Sequence, residues 1–92
     1  MGRVDAFRLP GLDLWFNSSD HLPPHFHAEK LGLWEVRVFF LRDPSEMVEK
    51  KWGREPRPAE LVRLVELAER HRPLLNEEWE RKVGRARPQT RR

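Results

Sequence analysis

Three of the four histidines in this chain fall in one short stretch, DHLPPHFHAEK, from Asp20 to Lys30. Imidazole alone among side chains ordinarily titrates near neutrality, and its neutral form is a common ligand of transition metals. Leu22-Pro23-Pro24 is stiff, because proline fixes its own φ and restricts the residue before it. It holds His21 and His25 at a set separation. His25 and His27 lie two apart, so a strand presents both on one face, and Glu29 follows on that face. His21, His25 and His27 are therefore candidate ligands for a divalent transition metal such as Zn, Mn, Fe or Ni. His25 and His27 are equally a candidate catalytic acid–base pair. In that case Arg37 is placed to stabilise developing charge. Imidazoles also cap backbone groups or line a polar strand face with no ligand at all.

The elements around this stretch must aim it. VDAFRL (4–9) and LDLWF (12–16) are strand-like and are separated by Pro10-Gly11, a turn signal. Asn17-Ser18-Ser19-Asp20 reads as a loop whose side chains bond nearby backbone. Residues 25–29 and 34–41 read as the arms of a hairpin around Gly32. Trp34, Val36, Val38 and Phe40 alternate with Glu35, Arg37, Phe39 and Leu41. A three-residue loop, 31–33, sets Phe26 opposite Val38, His27 opposite Arg37 and Ala28 opposite Val36. A slip of one residue would turn the histidines to the core. The odd loop groups apolar with apolar and predicts an accessible face of His25, His27 and Glu29 beside Glu35 and Arg37. It also puts Phe39 and Leu41 outside, as a candidate contact surface for a protein partner or a second copy. Residues 46–52 suggest a further strand, and Trp34 and Trp52 read as core.

The period then changes. In RPAELVRLVELAERHR, Leu61, Leu64, Val65 and Ala68 share one helical face, with Pro58 and Glu60 suited to its start. Pro73 ends that helix and opens a second, to about Val83, with Leu75, Trp79 and Val83 as its stripe. His71 at the first helix's end suits the dipole there, or supplies a further ligand. Strands first and helices last predict an α+β domain over residues 1–83. It would be a small antiparallel sheet with two C-terminal helices packed on one face.

Ninety-two residues fit one domain, and there is no cysteine for disulfides or thiolate metal sites. No apolar run is long enough to cross a bilayer, and no leader is evident, so the expected location is cytoplasmic. The formal net charge of +3 is a tail effect. All fifteen acidic residues precede residue 81, whereas Arg81, Lys82, Arg85, Arg87, Arg91 and Arg92 follow with no acid among them. Residues 84–92 read as a basic, disordered tail, with Arg85 and Arg87 as candidate contacts to nucleic acid or an acidic partner.

Phe16-Asn17, the run Pro23 to Ala28 (PPHFHA), and His71, Leu74 or Leu75, Asn76 and Trp79 together resemble a small bacterial family, the domain of unknown function 4160. The resemblance spans about residues 4–82. It departs at 41–57, where LRDPSEMVEKKWGREP replaces a compact turn and short strand, and in the spacing of Asn76 and Trp79. The resemblance implies a small cytosolic bacterial protein, often encoded beside another small protein in toxin–antitoxin-like pairs. Three functional classes follow. The first is an interaction component of such a two-gene module. The second is a small His-dependent metalloenzyme or ribonuclease. The third is a transcriptional regulator using its helix pair, a use at odds with Glu60, Glu66, Glu69, Glu77 and Glu78 on those helices.

Overall fold

The computed structural model describes residues 2–84. The predicted tail beyond Gly84, with Arg85 and Arg87, lies outside the described residues. The chain runs through β1 (Gly2–Arg3), β2 (Asp13–Phe16), β3 (Phe26–Lys30), β4 (Trp34–Val38), a 3-10 turn (Pro44–Glu46) and β5 (Val48–Gly53). Two helices follow, α1 (Pro58–Arg70) and α2 (Arg72–Lys82). The sheet is an antiparallel meander in the order β1-β2-β3-β4-β5. One face carries Leu14, Phe16, Phe26, Ala28, Val36 and Val38 into a single core with Leu64, Leu67 and Ala68 of α1 and Leu75 and Trp79 of α2. This is the expected α+β architecture.

The central hairpin has the three-residue loop. Phe26 lies opposite Val38, His27 opposite Arg37 and Ala28 opposite Val36. Gly32 takes a φ of 78° there, a left-handed geometry that lets so short a loop close. Phe26, Ala28, Val36 and Val38 are fully buried, so hydrophobic grouping did set the register.

Two elements differ from expectation. Residues 4–9 form a loop rather than a strand. After Val4 N–H donates to the Leu14 carbonyl, the Asp5 and Ala6 N–H groups donate instead to the carboxylate of Glu78, at 2.8 and 2.6 Å. A side chain from α2 thus takes the donors that would have continued the ladder. Trp52, expected in the core, stays 40 % exposed on β5, the sheet's outer edge. Its indole N–H donates to Glu35 Oε1 at 3.1 Å. A register irregularity at Glu35/Val36 shifts the β4–β5 pairing by one, which puts Trp52 across from Glu35 on the sheet's outer face.

Candidate metal centre

His27 points away from the core, as the register demands, yet it is only 3 % exposed. The expectation of an accessible histidine face is therefore corrected: the imidazoles are roofed over. Trp15 of β2, paired directly with His27, stacks on its ring at 5.3 Å and 15°. The loop between β2 and β3 folds back so that Asp20 Oδ2 lies 2.8 Å from His27 Nε2 and 3.4 Å from His25 Nε2. That loop is fastened by the Asn17 N–H, which donates to the same Asp20 oxygen at 3.2 Å. The Leu22–Pro23 peptide within it is cis.

His25, one residue before β3, sits where the end of the sheet meets α2. Its ring lies 4.9 Å from Phe39 and 5.7 Å from Trp79. Its Nδ1–H donates to the Pro23 carbonyl at 2.9 Å. That bond fixes the tautomer, so the Nε2 lone pair of neutral His25 faces Asp20 and His27. Burial holds the His25 imidazolium below the usual histidine range. The Pro23 carbonyl and Asp20 work the other way, while His27 and Arg37 add repulsion.

Asp20, His25 and His27 together offer three ligand atoms, all within 4.8 Å of one another. Two imidazoles and one carboxylate form a donor set suited to zinc and its first-row neighbours. The hydrogen-bond surroundings of His27 can accommodate a cation at their focus. In the neutral tautomer that donates Nε2–H to Asp20, Nδ1 is an acceptor 3.3 Å from another acceptor, Glu35 Oε2. Both atoms are buried and lack a hydrogen-bond partner. A metal ion on Nε2 would move the proton to Nδ1, which could then donate to Glu35. Each imidazole would have its far nitrogen held by an acceptor, the Pro23 carbonyl for His25 and Glu35 for His27. Asp13, Glu29 and Glu35 stand opposite one another across β2, β3 and β4, on the same side as His27.

The other candidates fall in different places. His21 is exposed and is replaced in the cluster by Asp20, its neighbour. Proline stiffness set the path of this loop, but only the fold decided which polar side chain turned inward. Glu29 is half-buried at the rim. Arg37 is half-buried across from His27, with no ion-pair or hydrogen-bond partner among the described residues. Phe39 is not an exposed contact residue. It is 6 % exposed, beneath His25 and the Arg42 guanidinium, which lies 3.9 Å from its ring. Leu41 is exposed, at 50 %. Among the described residues His71 joins no ligand cluster, and it stacks on Phe7 at 5.5 Å. Asp20 went unread as a site residue, and Glu35 was read only as a neighbour of the histidine face. The register already set Glu35 on the histidine face, opposite Glu29, and its contact with His27 is what the structure adds. Asp20 carried only its position beside the histidines as a signal.

A cavity of about 620 Å³ opens beside the 4–12 loop, and one of its walls is Trp15, whose ring also stacks on His27. The donor chemistry, rather than the size of the hollow, marks the site. A family model described as "Domain of unknown function (DUF4160)" matches residues 12–80, which include the whole donor set. No curated protein and no solved structure matches the chain.

Proposed function

The chain belongs to the family described as a domain of unknown function, DUF4160, and from that footing we propose that it is a small metal-binding protein. It takes a divalent transition ion of the zinc class on Asp20, His25 and His27, and serves as an interaction component of a toxin–antitoxin-like two-gene module. The observation that carries the metal reading is the convergence of Asp20, His25 and His27, three ligand atoms within 4.8 Å of one another, with Glu35 Oε2 3.3 Å from His27 Nδ1 and so placed to accept its proton when Nε2 is occupied. A bound ion would pin the 17–24 loop to the sheet and supply cross-linking that a chain without cysteine otherwise lacks.

A ribonuclease reading fits less well. Its two imidazoles would have to straddle one phosphate, whereas His25 and His27 share a single carboxylate and are 5 % and 3 % exposed. A helix-pair regulator would carry the exposed acids Glu66, Glu69 and Glu77 toward phosphate. The interaction role draws support from large apolar side chains left outside the core. Leu31, Leu33 and Trp52 stand together at the end of the sheet where β3 turns into β4, and Leu41 is exposed at the other.

Metal analysis of protein purified without a His tag or chelator, followed by cobalt and zinc titration, tests the first part. The expected result is stoichiometric uptake with nitrogen-ligand cobalt absorption, lost in His25→Ala/His27→Ala. A wild-type protein that takes up neither ion overturns it. Co-expression with the product of the adjacent gene tests the second part. A stable complex weakened by Leu31→Ser/Leu33→Ser is expected, and two proteins that migrate separately would count against it.

A further inference from the structure

Glu35 is not one of the three candidate ligands, but three groups converge on its buried carboxylate. His27 Nδ1 lies 3.3 Å from Oε2, Lys51 Nζ lies 3.4 Å from the same oxygen, and Trp52 Nε1–H donates to Oε1 at 3.1 Å. Lys51 and Trp52 both belong to β5 and both reach solvent. We propose that Glu35 is the outer-shell positioning residue of the metal centre, and that through it ion occupancy sets the order of the exposed β5 edge. This inference rests on the metal reading above.

Proton placement on His27 links the ion to Glu35. In the neutral tautomer that donates Nε2–H to Asp20, the other nitrogen of His27 presents a lone pair to Glu35. The carboxylate is then held on one side only, by Lys51 and Trp52. An ion on Nε2 turns Nδ1 into a donor. Glu35 gains a partner on the metal side and is clamped between β3 and β5. The free energy that orders Glu35 belongs to both events. Whatever tightens the ion must tighten the Trp52 and Lys51 contacts, and the reverse holds equally. Glutamine at 35 cannot replace this. Its single carbonyl oxygen can serve His27 or Trp52, and its NH2 group then faces another donor.

The test uses the full chain, with zinc as the probe. Zinc affinity is measured by competition with a chromophoric chelator for wild type, Glu35→Gln and Trp52→Phe. Amide exchange across β5 is followed with and without zinc, and the His27 Nδ1–H resonance by NMR. In the wild type, zinc should slow exchange at residues 48–53 and bring up a low-field Nδ1–H signal. Glu35→Gln should bind zinc about 10- to 100-fold more weakly and lose that signal. Trp52→Phe, a surface change that leaves the core alone, should weaken zinc severalfold while retaining the signal. It keeps the question open to test if Glu35→Gln fails to fold. Wild-type zinc affinity in the folded variants, with β5 exchange indifferent to zinc, overturns the coupling while sparing the metal reading. A wild type that binds no zinc overturns both.

Discussion

At the scale of single residues, burial decides which charges the molecule tolerates. The ordinary histidine value is 6.5, and His25 is held below it chiefly by desolvation. As pH falls through that value, an unfolded chain takes up a proton that folded His25 refuses. Stability therefore drops on acidification and is fully recovered above the ordinary value. Melting of metal-free protein should move to lower temperature between neutral and mildly acid pH, and a His25→Phe variant should flatten that slope. Asp20 should matter mainly through the ion. Asp20→Asn is expected to cut zinc affinity at least tenfold, read by the same chelator competition, because an amide oxygen is a weaker ligand than a carboxylate. Glu78 is the other buried acid with a clear task. It accepts from the Asp5 and Ala6 N–H groups and from Lys82 Nζ, at 2.9 Å, while only 3 % exposed. Glu78→Ala strands two backbone donors and should destabilise by about 2–4 kcal/mol in urea unfolding. The sequence suggested only one more helical acid at that position. Nothing local announces that the N-terminal loop will come to it.

At the scale of elements, β5 is the piece whose design is easiest to test. An exposed edge strand invites pairing with other chains, and this one is blunted by Lys50, Lys51 and the register irregularity beside them. Gly53 closes it with a φ of 94°, and a Cβ built there would lie 2.2 Å from the Leu33 carbonyl oxygen. Gly53→Ala therefore meets both a disfavoured backbone conformation and a clash with main chain. It should cost roughly 1–3 kcal/mol, measured by thermal or urea unfolding. The helices behave as their sequence signals require. Pro58 starts α1, and Glu60 accepts from the Arg57 N–H at 3.0 Å. His71 breaks the pair, with φ −105° and ψ 20°, just before Arg72-Pro73 begins α2. Arg72 then reaches back to the Phe40 and Arg42 carbonyls, both at 2.6 Å, and fixes the angle at which the helix pair meets the end of the sheet.

At the scale of the whole molecule, the sheet has two differently used faces. One packs under the helices, and the other is roofed by Trp15, the 17–24 loop and the side chains of β4 and β5. Among the described residues no helix is long and apolar enough to cross a membrane. If an ion completes the roofed face, zinc at a hundred times its dissociation constant should add about 2.7 kcal/mol of stability. Scanning calorimetry with and without chelator reads that directly, and an unchanged melting temperature would argue against a loaded centre. By itself the sequence determined the order of elements from β2 onward, the approximate helix limits, and the hairpin register that sends Phe26 inward and His27 outward. Each of these follows from local periodicity, proline and glycine placement, and the grouping of apolar side chains. Only the tertiary structure decided that the outward histidines would be covered, that Asp20 rather than His21 would join them, and that Glu35 and Glu78 would be buried. Those outcomes depend on where a loop and a helix distant in the chain come to rest, and no residue's neighbours in sequence encode that position.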